Sequence, residues 1–356
     1  RDGSLPGKIV VTNYERLHHF DPTTFAGVVC DESSILKNFA GTRRKAVTEF
    51  MRKMAYRLLC TATAAPNDFT ELGTSSEALG NLGHMDMLAR FFKNDDSTIF
   101  LHGTKYGDLT QKRWRFKAHA ETAFWRWVCS WARACRKPSD IGFDDSRFRL
   151  PPLEINEHRV KASRPAPGRL FDVPAETLAE EREEQRRTIQ ERCERAAVLS
   201  TKQEQSILWY DLRDEGELLK RIAPNAELVT GSDSDERKEE VFLAFAAGQV
   251  RTLVTHPKIG GFGMNFQNCR HQTFFPSHSF EQWHQCVRRS WRFGQKRPVV
   301  VDVVTTDGAD SKLANLKRKQ AAAEAMFDQL SEYMNGATEI GRGEYGFIPE
   351  EVPSWL

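Results

Sequence analysis

Short apolar runs rich in β-branched residues, each leading into polar residues and separated by helical segments, constrain this chain more than any other feature. Residues 8–11, 27–30 and 56–60 read as such strands, with a helix over 43–54. A second set opens at residues 206–210. It continues through a helix at 236–247, strands at 252–255 and 272–275, a helix at 280–291 and a strand at 299–304. Strands alternating with helices specify an α/β chain with parallel sheets. Ligands of such sheets bind at the loops beyond the strand ends. Two sets in 356 residues suit two domains of ordinary size.

The stretches between and after the two sets differ in character. Residues 85–137 are helical and aromatic in pattern, and Pro151-Pro152 marks a break before an extended run at 153–160. Residues 175–199 are charge-dense and read as a long solvated helix. After Ser311 the pattern is helical to about Met334 and then irregular. The expected divisions are 1–150, 151–205 (a link with a charged helix), 206–310 and 311–356 (a helical tail). A net charge of +2 rules out a simple polycation, so any nucleic-acid binding must come from local patches. No run of 18 apolar residues is present, so no membrane span is expected. The seven cysteines form no C-x-x-C pair, which suits a reducing, cytoplasmic setting without structural disulfides or zinc. His18-His19, and His284 with Cys286, match no zinc spacing.

Val28-Val29-Cys30-Asp31-Glu32 is an apolar run that ends in two adjacent carboxylates. A strand end can fix the first near a magnesium ion held on nucleotide phosphates, and the second can orient or deprotonate an attacking water. Alone, the pair is a weak signal and more commonly marks a solvated helix start, where carboxylates are favourable. Lys37-Asn38 follows it, and a second strand leads into Thr61-Ala62-Thr63-Ala64-Ala65-Pro66-Asn67, with Glu71-Leu72 beyond. Further on, Gly260-Gly261-Phe262-Gly263-Met264-Asn265 is a segment whose glycines let backbone turn tightly or approach a phosphate. Arg289 and Arg292, three residues apart, share one helical face, and Gly294-Gln295 follows them. Trp114, Trp125, Trp127 and Trp131 lie among arginines and could stack bases. However, Phe124, Trp127, Val128, Trp131 and Cys135 fall on one helical face, as a core stripe does, which leaves the arginines as a rim.

Taken in order, these segments resemble the Swi/Snf-like translocases of helicase superfamily two, most of all the compact forms of bacteriophages and prophages. The resemblance rests on Asp31, Glu32, Lys37, Asn38, Thr61, Thr63, Asn67, Glu71 and Leu72, then on the Gly-Gly-x-Gly-x-Asn segment and the arginine pair with Gly-Gln. It is extended by Val10 to Glu15, Arg136 to Ile141 and Leu150-Pro151-Pro152-Leu153, and covers residues 8–307. Ala62 and Ala64 stand where the family has Gly and Pro.

The resemblance implies two RecA-like lobes joined by a helical linker, with ATP and Mg2+ as ligands. It implies Asp31 at the magnesium ion through water, and Glu32, Arg289 and Arg292 in catalysis. Gly261, Gly263 and Gln295 would join Asp31, Glu32 and the arginines at the nucleotide. Thr12, Asn13, Lys37, Asn38, Thr61, Thr63, Asn67 and Asn265 would couple hydrolysis to DNA or face it. The partner it implies is duplex DNA, in a bacterial or phage-infected cell. Rival readings are a strand-separating helicase and a non-catalytic nucleic-acid-binding relic of a motor. No Gly-x-x-x-x-Gly-Lys-Ser/Thr string, the usual phosphate cradle, occurs in residues 1–356. The expectation is therefore a missing part of lobe one, in the same or another chain, and essentially no hydrolysis by these residues alone.

Overall fold

The computed structural model describes residues 9–37, 41–63, 65, 68–95, 113–163, 177–261, 263–306 and 310–341. Asn38 and Asn67 lie outside them. Contacts group the chain into two units, residues 1–136 with 323–356 and residues 137–322, limits that differ from those read in the sequence. No helix among the described residues is long and apolar enough to cross a membrane.

The first unit opens with irregular chain and a 3-10 turn at Tyr14–His19. Then come β1 (Gly27–Cys30), α1 (Thr42–Met51), β2 (Tyr56–Leu59), α2 (Leu72–Leu79) and α3 (His84–Phe91). An antiparallel pair, β3 (Phe92–Asp95) and β4 (Arg113–Phe116), leads to α4 (Ala120–Trp131). β1 and β2 pair in parallel, with Gly27 opposite Tyr56 and Cys30 opposite Leu59. One face of this pair closes over Leu36, Val47, Met51 and Ala78. The other leaves Val29 66%, Tyr56 75% and Leu58 53% exposed. The strand expected at 8–11 is absent from residues 9–11, which are irregular with Ile9 and Val11 in water. β-branched residues favour a strand only where there is a pleated, half-buried surface to pack on.

The aromatic stripe is core. Phe124, Trp125 and Val128 are fully buried, and Met326, Leu330 and Met334 pack on them. Trp127 and Trp131 are partly buried. Cys135 departs from the expected stripe and is exposed, because α4 ends at Trp131 and the helical period stops with it.

The second unit carries β5 (Leu153–Val160), α5 (Leu178–Arg187), α6 (Ile189–Thr201), β6 (Ser206–Trp209), α7 (Arg213–Ile222), β7 (Ala226–Val229) and α8 (Asp235–Ala246). β8 (Thr252–Thr255), α9 (Pro257–Gly260), β9 (His271–Phe274), α10 (Phe280–Ser290) and β10 (Val299–Thr306) follow, and α11 (Asp310–Gly341) begins in this unit and ends in the first. Its sheet has six strands in the order β5-β10-β9-β6-β8-β7, all parallel. The expected α/β class with a parallel sheet is thus present. The expected solvated helix over 175–199 is instead two helices meeting at Thr188, and one face is buried. Its charge is neutralised in place: Arg192 pairs with Glu215 at 2.5 Å and lies over the Phe275 ring. Glu215 Oε2 also accepts the backbone amides of Asp211 and Leu212, both at 2.9 Å.

A polar ladder crosses the sheet interior. The Asp302 carboxylate accepts from Asn156 at 3.1 Å and meets Nε2 of His158 and of His271, each at 2.9 Å. Arg195 can only donate to His158 Nδ1, so Nε2 carries that ring's proton. The Ser206 hydroxyl lies 2.7 Å from His271 Nδ1. Hydroxyl, imidazole and carboxylate follow in the order of a nucleophilic triad, but Ser206, His271 and Asp302 are sealed inside the sheet and serve structure.

Burial raises the Asp302 pKa, but hydrogen bonds from His271, His158 and Asn156 outweigh it and hold the group at about 2, below the ordinary 3.8. A depressed carboxylate pKa adds stability above its unfolded value, and that stability is lost as pH falls through the folded value. Urea unfolding of the full chain should therefore weaken by about 2 kcal/mol between roughly pH 5 and pH 2 through this group. Asp302→Asn should flatten that slope. An unchanged slope in the variant would show that Asp302 is not its source.

Candidate functional site

In the first unit, the acidic pair sits directly beyond β1. Ser33 N donates to Cys60 O at 2.9 Å and Cys60 N to Cys30 O at 2.9 Å. These bonds stitch the exit of β1, which carries Asp31-Glu32, to the exit of β2, which carries Thr61 and Thr63. The Asp31 side chain accepts Glu32 N at 3.0 Å and is exposed. Glu32 is held at φ +49°, the left-handed region that costs a residue with a side chain about 1 kcal/mol or more. Such strain persists where surrounding contacts over-determine it. Here a Tyr14 hydroxyl bond to Asp31 O at 2.5 Å contributes. Burial, with Cys30, Asp31 and Glu32 nearby, pushes the Tyr14 hydroxyl pKa up, so it stays a donor.

Thr63 N donates to Thr61 Oγ1 at 3.0 Å, and the buried Thr63 hydroxyl has no hydrogen-bond partner among the described residues. Thr12 and Asn13 are exposed beside Tyr14, and Lys37 is half-buried at the end of a 3-10 turn over Ser33–Lys37. No group of three His, Cys, Asp or Glu side chains among the described residues could hold a metal by itself. Asp31 fits a magnesium ion that keeps its waters and takes most of its ligands from phosphates, because one exposed carboxylate suffices there.

In the second unit, the glycine-rich segment and the arginine helix hold each other. Phe266 N donates to Arg289 O at 2.9 Å, and Arg289 Nη1 to Met264 O at 2.9 Å. A Cβ on Gly261 would stand 2.2 Å from Pro257 O, so only glycine fits. Gly263 has φ +71°, open on its Cβ side, and Asn265 is exposed.

The arginines divide the labour. Arg289 is buried, and its guanidinium also bonds Gln285 O at 3.0 Å and Gln285 Oε1 at 2.7 Å. The Arg292 guanidinium is part-exposed and has no hydrogen bond or ion pair among the described residues. Gln295 is buried: its amide donates to Gln267 O at 2.8 Å and accepts Arg297 N at 3.0 Å. It therefore fixes the loop that follows Arg292. His284, one turn before Arg288, is driven down to about 4 by burial and by Arg288 and Arg289, so it is neutral near pH 7.

Sequence reasoning missed a third arrangement. The helix after β6, α7, packs on the Leu208 and Val254 face of the sheet. The helix after the neighbouring β9, α10, packs on the opposite face, through Trp283 on Phe274 and Gln272 on Val287 O. Connections leaving on opposite faces make the ends of β6 and β9 a topological switch point, where open α/β sheets bind ligands. Around it, Gln185 bonds Asp211 at 3.1 Å and His278 meets Glu181 at 2.9 Å. Lys312 is also buried there, its pKa lowered by that burial although Asp211 and Glu181 oppose the shift. Glu181 and Gln185 lie in the stretch whose charge density reads as solvated, so composition hides them.

No family model matches the chain, and no curated protein matches it. Among solved structures it is similar to the C-terminal part of a Fun30 ATPase domain, at 18% identity and a TM-score of 0.30, covering 36% of this chain and 50% of that one. It is similar to S. cerevisiae Dbp5 bound to RNA and ADP BeF3, at 9% identity and a TM-score of 0.47, covering 90% of this chain and 66% of that one. A Dbp5 variant with the same ligands gives 10% and 0.46 over the same shares. The chain thus spans half the Fun30 chain and 66% of each Dbp5 chain.

Proposed function

We propose that this chain forms the greater part of an ATP-driven nucleic-acid motor, of the Swi/Snf-like kind that tracks along duplex DNA. The observation that carries the proposal is the pair of stitched parallel strand ends, with Asp31-Glu32 on one and Thr61 and Thr63 on the other. The Arg292 guanidinium, without a hydrogen bond or ion pair among the described residues and on a pinned loop, supports it independently.

Glu32 takes the proton of the attacking water, or orients that water, and the strained backbone holds its carboxylate in place. Asp31 would help hold a magnesium ion, which would supply charge neutralisation on the phosphates. Arg292 stabilises charge on the transferring phosphoryl group. Arg289 and Gln295 act as positioning residues, since their polar atoms are spent on Met264, Gln285, Gln267 and Arg297. Thr61 and Thr63 follow directly from the strand stitched to the acidic pair and pass its movements on towards the nucleic acid; Thr12, Asn13 and Lys37 of the first unit, and Asn265 of the second, are assigned to nucleic-acid contacts. Contacts of this kind go to phosphates, so binding is expected to be weakly sequence-specific and strongly salt-dependent.

The Trp-rich segment, the feature most suited to a strand-splitting wedge, is largely spent on core packing, which favours translocation over unwinding. A protein joining residues 1–356 to a phosphate-binding loop should show ATPase stimulated by double-stranded DNA and displace the third strand of a triplex. It should open a forked duplex poorly. Fast ATP-dependent strand separation, with stimulation by single strands only, would overturn the translocase reading.

A further inference from the structure

Two aromatic rings stay in water beside Arg292. Phe148 and Phe293 meet edge to face, with centroids 5.3 Å apart and planes at 86°, and remain 43% and 37% exposed. An edge-to-face pair satisfies one edge and one face and leaves other ring faces open. Large apolar side chains that stay exposed together mark binding surfaces more often than chance placement does.

The platform is rigid on both sides. Gln267 Nε2 donates to Phe293 O, and Trp291 Nε1 donates to Pro151 O at 2.7 Å. On the other side, Phe148 N donates to Asp145 O at 2.9 Å. The Asp145 carboxylate in turn accepts Ser139 N at 2.7 Å and pairs with Lys137 at 3.5 Å. These bonds tie down the backbone that carries each ring.

Cations are the immediate charged neighbours of both rings. Arg147 and Arg149 flank Phe148, and Arg292 and Lys296 flank Phe293 with Gly294 and Gln295 between. None of these four cations has a side-chain hydrogen bond or ion pair among the described residues. The nearby carboxylate of Asp145 is already committed. Ring faces bordered by unpaired cations suit a planar heteroaromatic ring that carries phosphates.

We propose that Phe148 and Phe293 form a stacking platform for the base of the nucleoside triphosphate whose phosphates Arg292 engages. The proposal rests on the motor reading and deepens it by assigning base recognition to this surface. A single-stranded nucleic acid offers the same ring chemistry. The free nucleotide is the favoured occupant because Arg292, the proposed phosphate contact, is the residue next to Phe293.

The test uses the full chain of 356 residues and 1,N6-ethenoadenosine triphosphate, whose fluorescence is quenched on stacking, with inorganic tripolyphosphate and oligo(dT) as separate probes. Phe293→Ala should weaken binding of the etheno nucleotide about tenfold, in the range of one base–aromatic contact. Phe148→Ala should weaken it severalfold, and Phe293→Trp should restore it. Phe293→Leu keeps apolar bulk without a π-face and should behave like the alanine variant. Tripolyphosphate binding should be unchanged in all four.

Equal etheno-nucleotide binding by Phe293→Ala and the unaltered chain would overturn the platform, as would no quenching in the unaltered chain. Loss of oligo(dT) binding alone would overturn the choice of the nucleotide. The motor reading stands or falls separately, on duplex-stimulated turnover.

Discussion

Arg292→Ala is expected to cut ATP turnover by about a thousandfold in a protein that joins residues 1–356 to a phosphate-binding loop, the usual scale for loss of an arginine finger. The structure makes this a contrast between two arginines. Arg292 has no hydrogen bond or ion pair among the described residues, so its removal should change stability little. Arg289→Ala strands Met264 O and Gln285, and should lower stability by about 1–3 kcal/mol. Its loss of turnover should come through the glycine-rich segment it holds. Arg292→Lys should rescue poorly, because an ammonium lacks the planar fork of donors. Steady-state ATPase with thermal unfolding on the same variants checks the pair. Near-normal kcat in Arg292→Ala would place the finger elsewhere.

Glu32→Gln should bring turnover close to zero while nucleotide binding survives, since the amide keeps the shape and loses the base. The backbone sharpens this expectation. Glu32 sits at φ +49°, held by the stitched strand ends and by Tyr14 on Asp31 O. Glu32→Gly should relax that strain and raise stability slightly while losing as much activity as the glutamine variant. Tyr14→Phe keeps the ring and removes the hydroxyl bond, so kcat should fall severalfold with little change in KM. ATPase and nucleotide-binding titrations on the three variants separate chemistry from binding. A Glu32→Gln protein with unimpaired kcat would remove Glu32 from the chemistry.

The parallel sheet of the second unit was legible because its strands are buried on both faces and several read as largely apolar, β-branched runs, as at β6, β8 and β10. The stripe on α4 was legible from its period, although the stripe's end was not, since Cys135 continues the spacing after the helix has stopped. The strand expected at 8–11 shows the opposite failure. Its residues favour a strand, but propensity is realised only on a surface that receives it.

At the candidate site, residue types and order pointed to Asp31, Glu32, Arg289 and Arg292. They could not say that Arg289 and Gln295 turn inward while Arg292 does not, because that depends on which carbonyls α10 meets. The polar groups around the switch point were hidden for a related reason. Glu181, Gln185 and Arg192 read as solvent-loving, and only the fold brings them to Asp211, Glu215 and His278.

The outer face of β1 and β2 has a practical consequence for anyone handling the protein. Parallel strands are ordinarily covered on both sides, and this pair sets Val29, Tyr56 and Leu58 in water on one of them. A short, flat, uncharged strand face of that kind is a nucleus for self-association. Salting-out conditions strengthen apolar contact and should bring the chain out of solution early, whereas low concentrations of a mild detergent should keep it dispersed.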